Sequence, residues 1–226
     1  MKAHELIENL ISSYPNIEFA SEHWRIYEEF VRSLMHEEGV LHPGDYRGQE
    51  SAKLVCAQHP FAIEECINDP KLVERRQREY TDEWVRFLNG EKLPLREVDV
   101  CSSVNQKLFD ALCTQSSIES LRIKWLRCSR MDKIAGLKRL KKLYIGRASS
   151  LIDISPIANL GNLETLVLCE PKKVFDFSPL CKLKKLKVLG ICGSYTENTT
   201  IKMKDLDIIS QMPSLEYVDF MDVRLQ

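Results

Sequence analysis

Through the C-terminal half of the chain, apolar residues fall at the first, fourth and sixth places of a unit that keeps restarting. Leu95, Val98 and Val100 form the first set, and Ile118, Leu121 and Ile123 the second. Leu140, Leu143, Ile145 follow, then Leu163, Leu166, Leu168, then Leu186, Leu189, Ile191, and last Leu215, Val218, Phe220. The steps between sets are 22 or 23 residues, except the last, which is 29. A repeat of roughly 20–29 residues with this internal spacing gives one short strand and one return path per unit. No unit can bury its three apolar residues alone, so the units must stack and share a core. The pattern predicts an α/β solenoid over residues 93–226, with a curved parallel sheet of about six short strands.

Two stretches nearly superimpose. Leu151-Ile-Asp-Ile-Ser-Pro-Ile and Val174-Phe-Asp-Phe-Ser-Pro-Leu share apolar, Asp, apolar, Ser-Pro and apolar places. Ser caps the start of a short helical turn and Pro fixes φ there, so Ser155-Pro156 and Ser178-Pro179 predict such turns. The segments resemble the leucine-rich repeats of internalins, and the resemblance extends from Leu95 to the C-terminus. It implies a curved parallel sheet backed by helical or 3₁₀ turns, and it points to a bacterial or other microbial source. The family often carries Asn or Cys at place nine, bonded to the turn backbone. Here that place holds Ser103, Leu126, Ala148, Pro171 and Ser194, so no asparagine ladder is expected. Six extra residues around 193–200 predict a projecting loop.

Residues 1–92 carry a different pattern. Trp24, Tyr27, Val31, Leu34 and Met35 recur at threes and fours and predict a helix from Ser21 to Glu38. Residues 50–68 predict one or two more helices, broken at Pro60. The clearest helix starts at Asp69-Pro70 and ends at Asn89-Gly90, with Val73, Tyr80, Trp84, Phe87 and Leu88 as its apolar stripe. A solenoid end exposes core and needs a polar-faced cover, so this helix is expected over the edge of the first repeat strand. Residues 1–92 thus read as a helical cap or small domain. Six residues follow Phe220, so either Met221 to Gln226 suffice as a C-terminal cap or the edge is open and meets another molecule, a route to self-association.

Alternation on a strand sends places three, five and seven of each unit to the concave side. That assigns Arg122, Lys124, Lys142, Tyr144, Thr165, Val167, Cys169, Val188, Cys192, Tyr217 and Asp219 to a candidate partner-binding face. The face is basic at one end, apolar in the middle and acidic at Asp219. Such a patch fits a protein partner. Cys169 and Cys192 share a place on adjacent strands, where disulfide geometry is poor, so both are expected as thiols.

Charge divides the chain. Residues 1–94 hold 11 Lys/Arg against 18 Asp/Glu, and residues 95–226 hold 21 against 15, for a total of −1. The favoured reading is attraction between the two parts of one protein. The lysines at 138, 141, 142, 182, 184, 185 and 187 have no interleaved aromatics, and the pI is near 6.5. Both features argue against a nucleic-acid binder. No apolar run is long enough to span a membrane, and the N-terminus lacks the basic start and apolar core of an export signal. The eight cysteines include no CxxC pair, which fits reduced thiols in a cytoplasm better than zinc or disulfides.

Catalytic motifs are missing: no HExxH, GxSxG, phosphate loop or GxGxxG occurs. All five histidines (His4, His23, His36, His42 and His59) lie N-terminal to the repeats. The expectation is a cytoplasmic, non-catalytic protein-binding module without cofactor or metal, acting as an inhibitor, immunity-type protein, adaptor or host-directed effector. An enzyme or ligand site within residues 1–92, with the repeats as its targeting arm, is the alternative.

Overall fold

The computed structural model describes residues 13, 16–20, 42–56, 69–193, 200–204 and 206–225. The helix expected at Ser21–Glu38, the segment 57–68, four of the five histidines and the loop tip 194–199 lie outside these residues.

The strands in chain order are β1 (Glu18–Ala20), β2 (Ser51–Leu54), β3 (Glu97–Val104), β4 (Ser120–Leu126) and β5 (Lys142–Ile145). They continue with β6 (Thr165–Cys169), β7 (Val188–Cys192), β8 (Ile201–Met203), β9 (Tyr217–Met221) and β10 (Val223–Leu225). Among the described residues, three helices, α1 (Pro70–Gly90), α2 (Gln106–Leu112) and α3 (Asp207–Ser210), and several 3₁₀ turns make the return paths. Eight strands form one sheet in the order β1-β9-β7-β6-β5-β4-β3-β2, and β8 and β10 make a separate pair. Every pairing is parallel.

The leucine period becomes register. Leu121 faces Leu143, which faces Leu166, then Leu189, then Val218. The residues at places four and six of the first five sets are fully buried, so the strands share one continuous core. α1 joins that core through Trp84 and Leu88, and packs beside α2.

Three expectations need correction. Residues 51–54 form a strand, not a helix. Ala52, Leu54 and Cys56 are buried at every second residue, a period of two that extends the β3 ladder by one strand. The edge of β3 is therefore covered by β2, while α1 lies behind the sheet against α2. At the other end, the edge of β9 is not open: Glu18–Ala20 pairs with Tyr217–Asp219. The chain thus enters the sheet at one end and re-enters at the opposite end.

The turns also differ in detail. Ser155 and Ser178 lie inside their 3₁₀ turns and do not act as the cap acceptor. The Ser155 N–H donates to Asp153 Oδ1 at 2.8 Å, and the Ser178 N–H donates to Asp176 Oδ1 at 2.9 Å. Asp is the better acceptor because its carboxylate is fully charged and sits two residues upstream, where a side chain reaches forward. In place of an asparagine ladder, the strand exits turn on left-handed residues at Arg147, Glu170 and Asp222, with φ of 47°, 58° and 53°. Backbone N–H groups of Ala148, Glu170 and Gly193 donate to carbonyls of the next unit, at Cys169, Cys192 and Met221.

Candidate functional site

The side of the sheet expected to be concave carries three rows. The first runs Ser51, Glu97, Ser120, Lys142, Thr165, Val188, Tyr217. The second runs Lys53, Asp99, Arg122, Tyr144, Val167, Gly190, Asp219. The third brings Cys169, Cys192 and Met221 into register. All eleven residues expected on this face lie in these rows or, for Lys124, beside them on β4. They form two groups of different character.

The accessible group centres on Arg122. Its guanidinium lies 3.1 Å from Asp99 Oδ1 on β3 and 5.2 Å from the ring centroid of Tyr144 on β5. The arrangement holds one cation between a carboxylate and an aromatic face. Burial pushes the Asp99 carboxyl up, and Arg122 draws it back toward the ionised form. Lys124 sits 4.6 Å from the Trp125 ring centroid, Lys142 is exposed, and Thr165 and Val188 are half-buried. β3 carries one extra residue opposite β4 between Val100 and Ser103. Such a bulge bends the strand and re-aims side chains. Across it, the buried Ser102 hydroxyl accepts the Cys56 N–H at 3.0 Å.

The second group is closed. Val167, Cys169 and Cys192 form a small apolar cluster of their own, with Cys101, Tyr144 and Met221 packed against it. They are only 2%, 3% and 5% exposed, and Tyr217 is 8% exposed. The apolar centre expected to meet a partner is therefore covered within this chain. Alternation places residues on one side of a sheet but carries no information about what lies over it. Gly190 leaves little room for a side chain: a Cβ there would stand 3.3 Å from the Val167 methyl groups, which would have to give by a few tenths of an ångström.

At the acidic end, Asp219 is half-buried and has no ion pair among the described residues. Burial pushes its carboxyl up to about 6. The seven described cysteines are all free thiols. Burial raises Cys56, Cys101, Cys113 and Cys169, and takes Cys128 up to about 12. A raised thiol holds little thiolate at neutral pH and is a poor nucleophile.

The candidate set named from the sequence did not include Asp99 or Trp125, the partners of Arg122 and Lys124, although place five of the first unit puts Asp99 in the Arg122 column. The set also missed a ladder at the start of the strands. Place two reads Glu50, Arg96, Glu119, Lys141, Glu164, Lys187, Glu216, alternating in sign. Arg96 and Lys141 both pair with Glu119, and Lys187 pairs with Glu164 at 3.2 Å. Two lysines of the basic runs, Lys141 and Lys187, are thus balanced within the fold. Of the histidines, His42 is described; it stands edge-on to Tyr80 at 4.8 Å and 3.9 Å from Glu83. Among the described residues, no three His, Cys, Asp or Glu side chains are grouped to hold a metal, and no helix is long and apolar enough to cross a membrane.

Among solved structures, the chain is similar to internalin C2 of Listeria monocytogenes strain 4b F2365. Identity is 24% over 62% of this chain and 57% of that one, with a TM-score of 0.50. Internalin F of the same strain matches at 19% identity over 58% of this chain and 42% of that one, with a TM-score of 0.44. The match thus spans little more than half of internalin C2. No protein-family model matches, and no curated protein does. The fold is the leucine-rich-repeat solenoid with internalin-like repeats.

Proposed function

We propose that the protein is a non-catalytic protein-binding module that receives its partner on the open part of the concave face. In this reading the contact residues are Arg122, Lys124, Lys142, Tyr144, Thr165 and Val188, joined by Trp125. Residues 93–226 form the binding body, and residues 1–92 act as its enlarged cap. The observation that carries the reading is the Asp99–Arg122–Tyr144 contact chain across three adjacent strands. It fixes an arginine and a tyrosine, two residue types that dominate binding energy at interfaces, before any partner arrives. A preformed surface loses little ordering entropy on association. The free thiols support a reducing compartment, hence a cytoplasmic inhibitor, immunity-type protein or adaptor.

The test is quantitative affinity capture from native cells with wild type, Arg122→Glu and Tyr144→Ala. The expected result is one saturable partner protein lost with both variants and retained by Lys182→Ala, on the opposite surface. An interaction set that does not change across the four proteins rejects the concave-face reading.

A further inference from the structure

Away from the concave face, the segments that leave the strands carry a second ordered surface. In one unit, Ser150 and Ile152 flank the buried Leu151; in the next, Lys173 and Phe175 flank the buried Val174. The insertion lengthens the following step, and there Lys202 and Lys204 flank the buried Met203. On β10, which pairs with β8, Arg224 stands directly beside Lys202. Each pair flanks a buried residue, and the pairs fall at the same place of successive units once the six-residue insertion is allowed for, so we read them as an outward grid. One column reads Ser150, Lys173, Lys202, Arg224, and the other reads Ile152, Phe175, Lys204. The contact between the units is visible at Asp176: hydrogen bonds from Ser178 hold its carboxyl down, and the Lys204 charge adds to them.

Two properties of the grid have no folding explanation. Ile152 and Phe175 are 59% and 60% exposed, the exposed large apolar side chains of the described residues, and they occupy the same place in consecutive units. Single exposed apolar residues are ordinary, but two stacked in register are a patch. Beside them, Lys202 and Arg224 are like charges placed opposite each other, an arrangement that destabilises a strand pair. Neither forms an ion pair among the described residues, and Lys173 does not either. This contrasts with the strand starts of the same molecule, where signs alternate and pair.

We infer that this grid is a second docking surface, which takes an acidic segment of a partner protein anchored by apolar side chains against Ile152 and Phe175. The column Lys173, Lys202, Arg224 covers two strand spacings, about 10 Å, which is the span of about three extended residues. A run of carboxylates can follow that column and place an apolar side chain on Phe175. A flat anionic bilayer would lie against the exposed Asp153, Asp176 and Asp222 as well, whereas one extended segment can follow the basic column and leave those carboxylates to the side. The site is separate from the concave face and does not depend on it.

The probe is a fluorescein-labelled peptide of consecutive Glu followed by Phe and Leu, with Gln in place of Glu as control, titrated by anisotropy. The expected result is saturable binding to wild type that weakens as salt rises. Lys202→Glu with Arg224→Glu should lower affinity at least about tenfold, Phe175→Ser should lower it comparably, and Arg122→Glu should leave it unchanged. Should the double charge reversal fail to give wild-type circular dichroism, Lys173→Ala and Ile152→Ser carry the same expectation. Equal binding of the Gln peptide, indifference to these variants, or no saturation below about 1 mM overturns the inference. So does variant-sensitive binding to phosphatidylserine–phosphatidylcholine vesicles without binding to the peptide, which would make the grid a membrane surface.

Discussion

Arg122 reaches back to Asp99 at 3.1 Å while its guanidinium lies 5.2 Å from the ring of Tyr144 on the next strand. The two charged residues stand in register, 23 positions apart in sequence. Their side chains are 23% and 13% exposed, so this pair is shielded in a way that the ion pairs on the surface of α1 are not. Removing one member leaves the other half-buried and uncompensated. Arg122→Ala should therefore destabilise the fold by about 1–3 kcal/mol. The double variant Asp99→Ala, Arg122→Ala should cost less than the sum of the single ones. Urea unfolding of the four proteins measures the coupling, and strict additivity would show that the pair does not interact.

Asp153 and Asp176 each hold the first turn of a 3₁₀ segment by accepting a backbone N–H two residues on. Replacing either with Ala should cost about 1 kcal/mol, as loss of a cap does. The effect has a defined pH sign. Hydrogen bonds from Ser178 hold the Asp176 carboxyl below its usual range. An acid depressed in the folded state stabilises above its unfolded value and loses that contribution as pH falls through the folded one. The difference between wild type and Asp176→Ala should be full at neutral pH and be lost in acid, as pH falls below the usual carboxylate range. Thermal melts from neutral to acid pH follow it.

These residues also show how far the sequence is informative. Leu121, Leu143, Leu166 and Leu189 announce the sheet because each unit must repeat the same burial to stack. β1 and β2 carry no such signal. Each is too short to show a period with certainty, and both depend on an edge supplied by residues far away in sequence. The alternation of Ala52, Leu54 and Cys56 was the available sign of β2. The sign-alternating ladder from Glu50 to Glu216 was legible in the same way, by reading one place of every unit rather than each run of lysines. For the concave face, the period assigned Arg122, Tyr144, Val167 and Cys192 to one side. It could not separate the open pair from the buried pair, because cover over a sheet comes from contacts distant in sequence.

Asp219 gives a pH dependence of opposite sign. Burial raises its carboxyl from the usual 3.8 to about 6. A group raised in the folded state contributes fully below its unfolded value, and that contribution is lost as pH rises through the folded value. Between about pH 4 and 6 the folded protein holds a proton that the unfolded chain releases. Asp219→Asn removes the charge and keeps the shape. The variant should be more stable than wild type at pH 7, by about 1–3 kcal/mol, and should match it below about pH 4. Denaturant midpoints at the two pH values decide the matter; an equal gap at both would mean that the carboxylate is solvated.

The thiols offer a test of packing that needs no partner. Cys56, Cys113, Cys128 and Cys169 are buried, and burial raises the titration of each. Alkylation needs thiolate and access, and these residues have neither in the folded state. Cys101 is half-buried on the concave side, and its thiol is raised by the same cause and by the neighbouring Asp99. Native protein treated with iodoacetamide near pH 8 should leave Cys56, Cys113, Cys128 and Cys169 unmodified, while protein in denaturant should label all four. Peptide mass spectrometry reads each site. Rapid native labelling of Cys169 in particular would show that the cluster with Val167 and Cys192 opens readily. In that case the apolar centre of the concave face would be available to a partner after all, and the binding surface would extend from Tyr144 across Val167 toward Asp219.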